Sequence, residues 1–199
     1  MHTGRAGSRT GTLLLSVPSR PSLFPLSALL AVAAQGCAPA IVPALQPASP
    51  PKVPPELAVS SDEELLGKAD ARGTQVYLCQ PGGEGIQEWT LVDFHADLLD
   101  DVGHHLGRYL PGPTWEYTDG SKVVGERKRS ADSPEPAAAW MLLGAKSTEG
   151  AGVLSPVSSI LVVDTVGGIA PAVGCVEGAR GAHVEVPFRA SYYFFKRKA

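Results

Sequence analysis

Three histidines and four aspartates come closest to a recognisable chemistry. His95, His104 and His105 lie in or just after a run of aspartates between residues 93 and 101. Imidazole and carboxylate groups bind divalent metals. Their spacing matches no known motif such as H-E-x-x-H, and adjacent His104 and His105 on a strand would point to opposite faces. These residues support one alternative function, an exported enzyme with metal-assisted chemistry. Histidines on the protein surface are the simpler interpretation.

Glu116 and Asp119 have the composition of a general acid and base. Asp119 is already explained by a turn with Gly120, and Glu116 by a cross-strand position. Ser121 and Ser155 lack the G-x-S-x-G context of a nucleophile. No catalytic residue is assigned, no cofactor is predicted, and a non-enzymatic protein is favoured.

Aromatic side chains form the other candidate site. Trp89, Trp115, Tyr117 and Tyr192 are candidates for a ligand groove, because aromatic rings pack well on apolar molecules and sugars. Core packing is the alternative for at least two of the three tryptophans. The favoured function is a β binding module for a small molecule, a glycan or a protein.

Strands must position these side chains. Alternating or β-branched segments predict strands at residues 74–80, 88–94, 157–163 and 184–194, and residues 137–145 are assigned to a buried strand. In the last strand Val184, Val186, Phe188, Ala190, Tyr192 and Phe194 share one face. Pro187 predicts an edge or a bulge there. We predict one all-β domain over residues 56–199, either a barrel or a sandwich.

Asp119-Gly120 predicts the turn of a β-hairpin. A two-residue type I′ loop requires positive φ at both residues. It would pair Tyr117 with Lys122 and Trp115 with Val124, which puts Trp115 and Val124 on one face.

Residues 1–36 have the pattern of a signal peptide, with Arg5, Arg9 and Arg20 before a short apolar run. Gly36-Cys37 then resembles a bacterial lipobox, so Cys37 is the predicted lipidation site and plain cleavage is the alternative. Residues 37–55 contain seven prolines and predict an extended spacer. The expected location is the outer membrane or its periplasmic face, through a lipid anchor in the bacterial membrane, or secretion without the lipid.

Assigning Cys37 to a lipid leaves Cys79 and Cys175 as a predicted disulfide, with two buried thiols as the alternative.

Removing three arginines with the signal leaves 14 of 17 basic residues against 20 acidic ones, a net charge of −6. This charge disfavours nucleic acid. The basic run 127–129 is interpreted as a solvated loop. An unknown ligand or envelope partner remains the expected partner.

Several segments together resemble a known family. They are residues 73–80, residues 112–125, Thr165-Val166-Gly167-Gly168 with Ala170-Pro171, Gly174-Cys175, and residues 186–195. They are similar to exported bacterial and fungal proteins catalogued as domain of unknown function 3455, over about residues 54–199. The chain has Tyr109, Val162 and Ser191 where His, Arg and Asp are usual in that family. A family site built on those polar residues would be missing from this chain.

Overall fold

Eight antiparallel strands pair in chain order, and β8 pairs with β1 to close a barrel. The structure is a computed structural model that describes residues 42–199; the predicted signal peptide and Cys37 lie outside the described residues. The all-β prediction is confirmed, and the barrel is the correct alternative. The strands are β1 (Glu63–Pro81), β2 (Gln87–Leu99), β3 (His105–Leu110), β4 (Thr114–Tyr117), β5 (Lys122–Ala131), β6 (Trp140–Glu149), β7 (Val157–Gly167) and β8 (His183–Arg197). In the described part of the chain, three short 3₁₀ helices cover Pro55–Leu57, Gly83–Gly85 and Glu177–Ala179.

The barrel interior is built by alternation along its strands. The predicted face of β8 does point inward, with Phe188, Ala190, Tyr192 and Phe194 all buried in the core. On β1, Gly73 approaches β2 so closely that a Cβ would lie 2.0 Å from the backbone oxygen of His95. A glycine at such a contact lets the sheet bend sharply and close.

β6 begins later than predicted, and Pro187 lies at an edge position of β8. The segment at residues 137–145 does contain a strand, but β6 begins only at Trp140 because the preceding residues form the connection from β5. Pro187 lies one residue before Phe188, which pairs with the last residue of β7. The first part of β8 therefore pairs only with β1 among the strands, an edge position that tolerates the missing proline N–H.

The β4–β5 hairpin forms, but the predicted type I′ turn is wrong. Gly120 N–H donates to the Tyr117 oxygen at 3.0 Å, and Tyr117 N–H donates to the Ser121 oxygen at 2.9 Å. Within this turn only Gly120 has positive φ, at 84°, so the loop has three residues and ends in a glycine bulge. The extra loop residue shifts the register by one. Trp115 therefore pairs with Val123 instead of Val124.

The predicted spacer is wrong for its described part. Leu45 is only 7% exposed and joins the barrel core. Gln46 and Lys68 exchange two backbone hydrogen bonds of 2.9 Å, and the Tyr117 hydroxyl donates to the Pro43 oxygen at 2.8 Å. The proline-rich composition of this segment gave no indication that it packs on the barrel. This contact depends on Gly67, where a Cβ would lie 2.6 Å from the Cβ of Leu45.

A second apolar cluster lies on the outer surface of the barrel. Leu57, in the first 3₁₀ helix, is fully buried against side chains of β6, β7 and β8. This cover explains why β7 is apolar on both faces. The buried members of the cluster are Leu57, Leu142, Leu161, Val163, Tyr193 and Phe195.

The two ends of the barrel differ. We call "closed end" the one formed by residues 43–46 and the connections β2–β3, β4–β5 and β6–β7. We call "open end" the one formed by the connections β1–β2, β3–β4, β5–β6 and β7–β8. Antiparallel strands in chain order place these connections alternately at the two ends.

Candidate ligand-binding site

The open end leads into a cavity of about 360 Å³ inside the barrel. This volume is within the range of roughly 300 to 1,000 Å³ typical of small-molecule sites. Most of its wall is apolar or aromatic, and all strands except β4 contribute. The lining residues are Gln75, Leu91, Phe94, Tyr109, Pro113, Arg127, Ala138, Ala139, Met141, Leu143, Val162, Thr165, Phe188 and Tyr192.

An aromatic cluster separates this cavity from the closed end. The rings of Phe94 and Tyr109 stack with centroids 4.7 Å apart, and Tyr109 lies 5.3 Å from Tyr192. Trp115 packs behind both tyrosines, at 4.8 and 5.5 Å, and is fully buried. The cavity therefore has an aromatic floor.

Two tyrosine hydroxyls lie among the apolar side chains of the wall. Burial raises the pKa of Tyr109 far above its usual value of 10. Burial, with the neighbouring Tyr109, does the same to the pKa of Tyr192. Both phenols are therefore neutral at physiological pH, and each can donate one hydrogen bond.

Other polar groups in the wall are held by the protein itself. The Tyr77 hydroxyl lies 2.9 Å from both the Gln75 side-chain oxygen and the Gly168 backbone oxygen. The Thr165 hydroxyl donates to the Ala138 backbone oxygen at 2.6 Å, which ties the β5–β6 connection to β7. These bonds position the rim of the cavity.

Among the described residues, Arg127 is the only charged one in the lining. On β5 it stands two residues after the buried Gly125, and its side chain is exposed at the mouth of the cavity. No carboxylate of residues 42–199 lies within 4.0 Å of its guanidinium. The mouth of the cavity therefore carries one positive charge over an apolar interior.

The disulfide between Cys79 and Cys175 is confirmed, with their Cα atoms 5.3 Å apart. It fastens the β7–β8 connection to the end of β1. The Trp89 indole N–H donates to the Val173 oxygen of the same connection at 3.1 Å. The bond and the indole hold this long connection at one side of the open end.

The four residues of the predicted groove do not share one surface. Tyr192 lines the cavity and Trp115 lies directly behind it. Tyr117 points into the closed end, where it bonds Pro43. Trp89 lies outside the cavity at the β7–β8 connection. Tyr117 and Trp89 are held apart from the cavity by their contacts with Pro43 and with the β7–β8 connection. The sequence pattern does not show such contacts between distant segments.

The predicted histidines do not converge either. His95 is exposed on β2. His104 Nδ1 lies 2.8 Å from Asp100 in the β2–β3 turn, and His105 Nε2 lies 3.4 Å from Asp97. In the part of the chain that the structure describes, no three His, Cys, Asp or Glu residues are grouped to hold a metal.

Sequence reasoning missed most of the cavity. Phe188 was recoverable, because the alternation of β8 puts it on the face of Tyr192. Arg127 stands in a run of four charged residues, 126–129, which sequence reasoning interprets as solvated, and nothing in the run distinguishes Arg127 from its neighbours. Two of the three departures from the family pattern, Tyr109 and Val162, line the cavity. The third, Ser191, donates instead to Asp70 at 2.8 Å.

Fold and site together define a closed eight-stranded β-barrel with an internal, mainly apolar cavity that is open at one end. Within that class, the chain belongs to the family described as protein of unknown function (DUF3455), whose model matches residues 60–196. Searches of curated proteins and of solved structures found no match. Among the described residues, no helix has the length and hydrophobicity needed to cross a membrane.

Proposed function

We propose that this protein is a non-enzymatic binding protein that holds a small, largely apolar molecule in the open end of its barrel. The observation that carries the proposal is the cavity of about 360 Å³ with its aromatic floor. Concave, mainly apolar sites with a few polar groups are typical of small-molecule binding. A glycan would need more hydrogen-bonding groups than this wall offers, and a protein partner would need no internal cavity.

A neutral fluorescent probe tests this proposal. N-phenyl-1-naphthylamine gains fluorescence in apolar sites, and we expect saturable binding to the purified protein. Val162→Trp fills the cavity, because Val162 lies in its wall, and should abolish the signal. Val166→Trp is the matched control on the same strand, since Val166 is 53% exposed and lies outside the cavity. Equal binding by both variants would contradict the proposal.

We propose further that the protein is exported and anchored by a lipid on Cys37, at the outer membrane or its periplasmic face. The basic residues and apolar run before Cys37 support export, and Gly36-Cys37 supports lipidation. The disulfide is of the kind that persists in oxidising compartments. Stable anchoring needs more than one acyl chain, because each buried CH₂ contributes only about 0.8 kcal/mol.

Membrane fractionation with labelled palmitate tests the anchor. The parent protein should fractionate with membranes and incorporate the label, whereas Cys37→Ser should be soluble, unlabelled and folded. A membrane-bound Cys37→Ser variant, or an unlabelled parent, would contradict lipidation.

A further inference from the structure

The geometry points to a small carboxylic acid as the ligand of the cavity, with its apolar body inside the barrel and its carboxylate on Arg127. This inference rests on the proposed function and adds the chemical class of the ligand. Binding of a purely apolar molecule leaves one feature of the site unexplained, namely the exposed cation Arg127 at the mouth of an apolar barrel.

The position of Arg127 distinguishes it from its neighbours on β5. The Glu126 and Lys128 side chains form an ion pair with each other. Arg129 donates to the Ala58 backbone oxygen at 3.1 Å, on the outer surface of the barrel. Only Arg127 of these four residues lines the cavity, and its guanidinium has no carboxylate partner in residues 42–199. A ligand anion would complete this arrangement.

The chemistry of the site selects the anion. A guanidinium is planar and binds a carboxylate through two parallel hydrogen bonds. Within residues 42–199, the lining contains no Asp or Glu to repel an anion and no second cation to hold a dianion. The aromatic rings of the floor favour an apolar body. A monoanionic acid of aliphatic or aromatic type fits both the cation at the mouth and the apolar interior.

A matched pair of competitors tests the inference. Decanoate and decanol have the same chain and differ at the head group, and each is titrated against bound N-phenyl-1-naphthylamine at pH 7.4. We expect decanoate to compete at least tenfold better than decanol, since a charge-assisted pair replaces a neutral hydrogen bond. In Arg127→Met the ratio of the two affinities should fall to about one. Arg127→Lys should retain only part of it, because an ammonium lacks the planar fork.

Arg129→Met is the matched control. It removes the same charge from the same strand on the outer surface, and the ratio should remain as in the parent. Equal competition by decanoate and decanol in the parent would overturn the carboxylate assignment while leaving the proposed function intact. A preference for decanoate that persists in Arg127→Met would overturn the role of Arg127. Absence of probe binding to the parent would contradict the proposed function itself, and this inference with it.

Discussion

The two ends of the barrel are built by different means. At the closed end, Leu45 and Leu154 are buried in the core. Asp119 there accepts hydrogen bonds from the Ser121 and Val153 amides at 2.8 and 2.7 Å. At the open end, the disulfide and the Thr165 contact with Ala138 hold the connections at the rim, and the space between them stays open as the cavity. Buried side chains and hydrogen bonds together fill the closed end, whereas a disulfide and a hydrogen bond hold the rim of the open end without filling it.

Because the two ends differ in this way, substitutions that affect stability and substitutions that affect binding should lie in different parts of the barrel. Substitutions at the closed end should change the free energy of unfolding and leave the cavity as it is. Substitutions in the cavity wall should change binding. The disulfide is the exception, because it stabilises the whole chain from the open end.

The largest expected effect is removal of that disulfide. Cys79→Ala with Cys175→Ala should lower the free energy of unfolding by about 4 to 5 kcal/mol, because the bridge closes a loop of 96 residues in the unfolded chain. Urea denaturation measures the loss. The parent unfolded in reductant should behave like the double variant, and an unchanged midpoint in both would refute the stabilising role of the bridge.

Next in size is Leu45→Ala at the closed end. Leu45 is nearly fully buried, so we expect a loss of about 2 to 3 kcal/mol from the emptied volume. The matched variant is Leu91→Ala at the open end, where the side chain is 42% exposed and the loss should be under about 0.5 kcal/mol. Equal losses in thermal or urea unfolding would mean that residues 43–46 do not close the barrel.

A smaller loss is expected for Gly120→Val in the β4–β5 turn. The φ of 84° at this residue strains a β-branched side chain, and the cost should be about 1 to 2 kcal/mol. Thr118→Val is the control, since this exposed residue of the same turn lacks positive φ. If both variants unfold at the parent's midpoint, the glycine bulge is not required.

The smallest effect concerns the pH dependence of the closed end. Burial opposes charge on Asp119, but hydrogen bonds from Ser121 and Val153 outweigh it, so the pKa of this carboxyl is lowered from 3.8. A carboxyl with a lowered folded-state pKa contributes stability above its unfolded pKa and loses it as the pH falls through the folded pKa. The parent should therefore lose stability below about pH 4. In Asp119→Asn, unfolding midpoints measured from pH 6 to pH 2 should fall less steeply, and an identical slope would count against this carboxylate.

Local patterns predicted much of the fold because they depend on neighbours along the chain. The alternation in β8 placed Phe188, Tyr192 and Phe194 on the inner face, as the structure shows. The Asp119-Gly120 signal gave the position of a hairpin but not its register. Two-residue and three-residue loops both place a glycine at positive φ before the second strand.

The candidate site was largely beyond prediction because it depends on contacts between distant segments. Arg127 stands in a run of charged residues, and its place at the cavity depends on strands distant in the sequence. The position of Leu45 depends on the absent side chain of Gly67. The cavity exists only after β8 closes on β1, so residues as distant as Phe94 and Val162 come together in its wall.

Methyl NMR during a titration with N-phenyl-1-naphthylamine tests the central claim most directly, namely that one end of the barrel is filled and the other receives a ligand. We expect saturable chemical-shift changes at Met141, Leu143 and Val162, which line the cavity. The methyl groups of Leu45, Val123 and Leu154, buried in the core outside the cavity wall, should keep their shifts. Saturable changes at the second group and none at the first, or changes at neither, would contradict the account.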